Sequence, residues 1–192
     1  AYPLVHPKKL KRFASLMRQY REIDIKAIVS TPEHLEGLSQ AMLANSLNLD
    51  VYVDLDTGMR RTGVQPGEEA GAFYVQASET PALNVLGVHI FDGQTLYKPD
   101  HAERKALVDR SIEHMHEVWD YAAKHGLDAV DNVVGGSWSF QHYLGEENVR
   151  VSPGTWVYWD SRNATMTELG FKVAAVVLGQ DIDRDPEMDT VT

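Results

Sequence analysis

The strongest constraint on the fold is the spacing of the apolar residues, which switches repeatedly between the helical and the strand period along the chain. From Pro7 onward, Leu10, Phe13, Met17 and Tyr20 share one helical face. Residues 25–29 are a short β-branched run that reads as a strand. Thr31-Pro32 is a helix start, with a capping hydroxyl followed by proline at the first helical position. Leu35, Leu38 and Met42 continue that helix, and residues 49–55 read as the next strand. Residues 66–78 are helical with Ala70, Phe73 and Ala77 inward, and residues 83–90 form a strand. The longest helix covers residues 100–125, with a stripe of Val108, Ile112, Met115, Trp119 and Ala122 and Gly126 as its stop. Residues 130–134 and 149–151 are two further strands. The helical stripes, Met115 and Trp119 included, read as core packing.

Strands alternating with helices imply parallel strands joined by crossover helices. About five strands precede Gly154, whereas a closed (β/α)8 barrel needs eight and roughly 250 residues. The chain therefore reads as an α/β protein carrying part of a TIM-type barrel. Residues 171–178 have a β pattern with no helix after them; a polar turn covers 180–186, and 188–192 resemble the start of another strand. We expect a barrel domain over residues 1–165, incomplete at its N-terminus, and the beginning of an antiparallel C-terminal β domain over 166–192.

Composition narrows the function classes. A net charge of −10 disfavours non-specific binding to nucleic acid or acidic membranes. No apolar run approaches the roughly 20 residues of a membrane span. The absence of cysteine excludes disulfides and thiolate metal sites. Asp181, Asp183 and Asp185 mimic a calcium loop, but Pro186 and Thr192 stand where glycine and glutamate are needed. His114 and His116 point to different sides of their helix and form no metal pair.

In parallel α/β folds ligands sit at the C-terminal ends of the strands, and four segments fall there. The first runs Asp54-Leu55-Asp56-Thr57-Gly58-Met59-Arg60-Arg61-Thr62-Gly63-Val64. Its spacing alone reads as a glycine turn with two solvated arginines, while Arg61 is the residue that can place a fixed positive charge at a ligand. The second, Gly87 to Gln94, offers Phe91 to lie against a planar ligand and Gln94 to hydrogen-bond it. His89, alone in this strand, reads as a satisfied core histidine. The third is Gly135-Gly136-Ser137 and the fourth Ser152-Pro153-Gly154-Thr155. Both offer backbone N–H groups and a hydroxyl after a strand, which suits phosphate.

The run Asp56-Thr57-Gly58-Met59-Arg60-Arg61-Thr62-Gly63 resembles the signature of the alanine racemase N-terminal domain superfamily. The later segments resemble, in order, those of its D-threonine aldolase and D-serine dehydratase group: 87–94 the fifth strand, 135–137 the phosphate loop and 153–160 a Pro-Gly-Thr segment. The opening Ala1-Tyr2-Pro3-Leu4-Val5 resembles the third strand of that group. The resemblance implies a cytoplasmic pyridoxal 5'-phosphate enzyme that acts on a small D-amino acid, and it leaves a homodimer open. Gly135, Gly136, Ser137, Gly154 and Thr155 would hold the phosphate, with Phe91 and Gln94 beside the cofactor and Arg61 near its Schiff base and phenolic oxygen. No segment matches the family's Schiff-base lysine, and Lys26 lies at the wrong end of its strand. The divalent metal of the group would be held by a C-terminal domain outside this chain. Ser152 stands where racemases carry an arginine directed at the ring nitrogen, and Trp138 and Phe140 replace small residues of the phosphate loop.

These features give a first reading as a lyase of D-3-hydroxy amino acids, the fragment being inactive alone. Amino-acid racemization, non-catalytic cofactor carriage and binding of another phosphorylated ligand remain as alternatives.

Overall fold

The computed structural model describes residues 3–180, 182–185, 187 and 190–191. The chain divides into two compact units, Ala1–Gly154 and Thr155–Thr192, with the division eleven residues ahead of the expected one.

Unit one is built from α1 (Pro7–Gln19), β1 (Ala27–Val29), α2 (Pro32–Leu43), β2 (Leu49–Leu55), α3 (Glu68–Ser78), β3 (Leu83–Ile90), α4 (His101–Lys124), β4 (Asn132–Val134) and β5 (Val149–Val151). All five strands are parallel and lie side by side in chain order. That is the singly wound order of a (β/α) barrel rather than the split order of a doubly wound sheet. The expected α/β class and barrel type hold.

The helix ends follow their local chemistry. The Thr31 side chain accepts from the His34 N–H with Pro32 in the first turn, and Asp100 accepts from the Glu103 N–H. Gly126, at φ +74°, follows α4 as expected. On α1, Leu10 and Ala14 are buried and Phe13 and Met17 pack beside them, but Tyr20 lies exposed past the helix end.

The sheet is two-faced because strand residues alternate. Val51, Val53 and Leu55 of β2, with Val88 and Ile90 of β3, are fully buried in the core that also takes in Leu38, Met42, Ala70, Val108 and Met115. Tyr52, His89 and Val133 belong to the opposite face and line a cavity. Polar groups knit this second face together. The Tyr52 hydroxyl donates to Asp131 Oδ2 at 2.6 Å, and the Arg150 guanidinium donates to Asp131 and to the Tyr52 oxygen. The register of β2 against β3 slips between Val51 and Tyr52, so that Tyr52 faces Gly87.

Asn132 joins the elements. Its side chain is completely buried; Oδ1 accepts from the Val88 N–H and the Trp119 indole, while Nδ2 donates to the carbonyls of Ala129 and Asn148. Trp119 is therefore a hydrogen-bonding residue as well as a packing one, which the apolar stripe did not reveal.

The second unit departs from expectation. Residues 171–178 form no strand, although their apolar, valine-rich sequence reads as one. A strand persists only where its backbone groups find a partner. Here the Ala174 N–H donates to the Tyr158 carbonyl, and Val176, Val177 and Leu178 are almost fully exposed. Antiparallel pairing does occur later, between β6 (Arg184–Asp185) and β7 (Thr190–Val191). Residues 3–5 form no strand either, and Ala1 and Tyr2 lie outside the described residues, as do Asp181, Pro186 and Thr192 of the discarded calcium loop.

The close approach at Gly87 is testable. A Cβ there would stand 2.0 Å from the Asp131 carbonyl oxygen and 2.4 Å from Asn132 Oδ1. Gly87→Ala should therefore destabilise the protein by about 2 kcal/mol or more, seen as a lowered urea midpoint with an unchanged slope.

Candidate functional site

On the second face of the sheet a cavity of about 750 Å³ is lined by residues that include Lys26, Tyr52, Arg61, His89, Phe91, Ser152 and Gly154. Lys26 comes from just ahead of β1, and the others are delivered by the alternation of their strands or by the turns that follow them.

The β2 turn is shaped by Asp56, whose Oδ1 accepts from the N–H groups of Gly58 and Arg60. This holds Arg60 at φ +55°, a left-handed conformation costly for a side-chain-bearing residue. The turn closes where the Asp56 N–H donates to the Val64 carbonyl. Gly63 must be glycine, because a Cβ would meet Asp56 N at 2.4 Å. Arg61, at the tip, is exposed, yet its guanidinium carbon lies 4.6 Å from the centre of the Phe91 ring. A cation over an aromatic face gains about 0.5–1 kcal/mol when exposed. Arg61 is thus aimed at the cavity, not spread in solvent as spacing alone implied.

Gln94 Nε2 donates to the Thr57 carbonyl at 3.1 Å. Gln94 Oε1 and Thr57 Oγ1 are both buried without a protein partner, an uncommon state for buried polar atoms. The turns after β4 and β5 meet: the Ser152 N–H donates to the Val134 carbonyl, and its hydroxyl donates to the Gly135 carbonyl at 3.1 Å. Gly135 has φ +78°. Ser137 is half-buried. Gly154 is open, with nothing within 4 Å of a notional Cβ. Thr155 opens the second unit, where its oxygen accepts from Asn163 Nδ2 at 2.6 Å.

Gly136 differs from the sequence reading. Its N–H is turned inward, to Asp92 Oδ1 at 3.1 Å and the Ser139 oxygen at 2.9 Å. It is not an open donor for an anion. Asp92, completely buried, also accepts from the Ser139 hydroxyl at 2.5 Å and the Tyr143 hydroxyl at 2.9 Å. Sequence reasoning missed Asp92: it adjoins Phe91, but its three partners lie on one turn more than 40 residues away. Burial pushes its carboxyl pKa up, against the lowering effect of the hydrogen bonds from Ser139 and Tyr143. Burial drives the Tyr143 phenol well above its ordinary range, and the neighbouring Asp92 carboxyl group adds to the effect.

His89 also departs from expectation. Nδ1 is 2.6 Å from Asp54 Oδ1, but the ring lines the cavity instead of being enclosed in the core. Among the described residues no cluster of three or more His, Cys, Asp or Glu can hold a metal ion. His114 and His116 engage Glu117 and Glu146 respectively. No helix among the described residues is long and apolar enough to cross a membrane.

With this geometry in hand, the chain can be placed among known proteins. The profile of the family described as alanine racemase, N-terminal domain, matches residues 11–162, and the chain belongs to that family. It is 26% identical over 158 residues to a 3-hydroxy-D-aspartate aldolase of Paracoccus denitrificans (strain Pd 1222), covering 81% of this chain and 40% of that protein. It is 28% identical over 133 residues to a D-threonine aldolase of Arthrobacter sp, covering 69% and 34%. The chain thus spans less than half the length of these curated relatives. The D-threonine aldolase of Filomicrobium marinum superposes with a TM-score of 0.77 at 26% identity, over 85% of this chain and 43% of that one. An alanine racemase-like protein of Idiomarina loihiensis superposes with a TM-score of 0.78 at 17% identity, over 100% and 50%, a likeness of fold.

Asp92 makes a pH prediction. A carboxyl whose folded pKa is raised binds more protons folded than unfolded, so its contribution to stability is full below the unfolded value of about 3.9 and is lost as pH rises through the folded value. Asp92→Asn removes that ionisation. Denaturation curves across pH should show the stability of the parent relative to D92N falling as pH rises from about 4; a constant difference would contradict the account.

Proposed function

We propose that the intact protein is a pyridoxal-phosphate-dependent lyase that acts on D-3-hydroxy amino acids. The observation that carries this reading is the Arg61–Phe91 pair, which lines one cavity with Ser152 and Gly154. The two aldolases among the relatives support it. The residues fit the cofactor. A fixed cation over an aromatic ring suits a planar anionic ligand, and two adjoining glycine turns suit its phosphate.

In this reading Ser137 and Gly154 donate to the phosphate, while Gly135 and Gly136 shape the turn. Gly136 is needed for space, because a Cβ there would press on the Phe91 ring at 3.3 Å. Phe91 lies beside the cofactor ring and Gln94 holds its neighbourhood. When bound, the cofactor supplies the sink for the electron pair released at the substrate's α-carbon. Arg61 contributes a planar guanidinium that favours the anionic groups of cofactor and substrate. A lysine and a divalent metal site would come from parts of the protein outside this chain, so this chain alone is expected to be inactive.

Racemization is the second reading, and Ser152 argues against it. Its hydroxyl is turned to the Gly135 carbonyl, and it brings no positive charge to the cavity. A carrier role without catalysis accounts less well for Arg61.

The test uses full-length protein with pyridoxal phosphate. D-Threonine, D-serine and D-3-hydroxyaspartate should be consumed at least a hundredfold faster than D-alanine is racemized; dominant racemization would overturn the lyase reading. Arg61→Lys should lower kcat/KM for the hydroxy amino acid by about 10²-fold, the scale of one lost charge-stabilising group, because a lysine lacks the planar fork. The isolated 192-residue chain, reduced with borohydride in the presence of cofactor, should show no single labelled lysine by mass spectrometry.

A further inference from the structure

We infer that His89 is the proton carrier for the substrate's 3-hydroxyl, with Asp54 as its positioning residue; this rests on the functional reading above.

The case starts from strand register. Asp54 of β2 is paired directly with His89 of β3, on the face that lines the cavity. Asp54 is buried, its side chain 4% exposed, and both of its oxygens are engaged: Oδ1 with His89 Nδ1 at 2.6 Å, Oδ2 with the Thr62 hydroxyl at 2.7 Å. A carboxylate held at both oxygens cannot swing, so it fixes the ring plane. Because a carboxylate accepts, the ring proton sits on Nδ1 and leaves Nε2 with a lone pair. Nε2 has no protein partner among the described residues and is not sealed off from the cavity.

The other polar groups around this cavity are committed. The Lys26 ammonium is paired with Asp24. The Tyr52 phenol is pushed far above its ordinary range by burial and by Asp131, and so is a poor base. Asp131 accepts from both Tyr52 and Arg150. Arg61 keeps its protons. His89 is thus the group in the cavity wall whose imidazole lone pair is placed to take a proton.

The step balances without an oxidant. Nε2 takes the proton of the 3-hydroxyl. The oxygen–hydrogen pair becomes the carbonyl π bond of the departing aldehyde, and the bond between Cα and Cβ breaks with its electron pair left at Cα. Cα then gains a proton, the imidazolium releases one to solvent, and glycine and an aldehyde leave.

The test is made on full-length protein loaded with pyridoxal phosphate, with D-threonine as substrate. His89→Gln should lower kcat by 10²–10⁴-fold, the range of a lost general base, with KM changed less than threefold and the acid limb of the pH profile gone. Cofactor affinity, read by absorbance titration, should stay within twofold of the parent, which separates lost chemistry from lost fold. Asp54→Asn should give a smaller loss. In ¹⁵N-histidine spectra it should also shift the ring proton away from the Nδ1 form seen in the parent, a change that a packing role does not produce. H89Q with more than a third of parental kcat and an intact acid limb overturns the inference. If the parent protein racemizes alanine and leaves D-threonine intact, the functional reading fails separately. The His89 assignment is then decided by the ring-nitrogen spectra with cofactor and D-threonine: a displaced Nε2 resonance sustains it, an unmoved one overturns it.

Discussion

The arrangement of unit one depends on Asn132. Its amide is buried at the point where β3, α4, β4 and the approach to β5 converge, and each of its hydrogen-bonding atoms is shared between two of them. An amide is suited to this position because it both donates and accepts through a planar group. Aspartate could not donate to the Ala129 and Asn148 carbonyls, and leucine would leave those carbonyls and the Val88 N–H without the side-chain partner they have here. The amide also explains the glycine beside it. Gly87 has no side chain because the Asn132 oxygen and the Asp131 carbonyl occupy that volume. The register slip that sets Tyr52 opposite Gly87 belongs to the same knot.

From this knot the polar order rises toward the cavity mouth. Tyr52, Asp131 and Arg150 form one layer, Asp54 and His89 the next, and Asp92 with the turn after β4 the last. The last two are each built round a buried carboxyl group that joins segments distant in sequence. Asp54 ties the end of β2 to β3 and to its own loop through Thr62. Asp92 fastens the segment carrying Phe91 to the turn carrying Gly136 and Ser139. The candidate site is thus positioned by acids that do not themselves face a ligand.

Much of this fold was legible in the sequence. β2, β3 and β5 begin and end where their β-branched runs do, and the caps of α2 and α4 sit at Thr31 and Asp100. Local rules fix such features, since the residues involved are neighbours in the chain. What escaped was long-range. Nothing near Asn132 announces a bond to Val88, 44 residues away, and nothing near His89 announces Asp54, 35 residues away. Each looks alone in the sequence and acquires its role from strand register. The same gap misled in the other direction at residues 171–178, where an apolar, valine-rich run promised a strand that local pattern cannot make without a partner. Gly136 shows a third kind of limit. A glycine turn advertises available N–H groups, and the sequence does not say that a carboxylate has already claimed one.

The two-faced sheet separates two kinds of constraint. Odd positions of β2, with Leu83, Val85, Val88 and Ile90 of β3 on either side of the register slip, carry the close-packed aliphatic side chains; the opposite face carries Tyr52, Asp54 and His89. A change on the first set disturbs packing that neighbours cannot easily absorb. A change on the second alters which protons and charges meet the cavity while leaving the aliphatic layer untouched. Substitution can therefore explore new chemistry on one side of the backbone without renegotiating the fold on the other. A single strand such as β2 thus answers two separate physical demands, read at alternate letters.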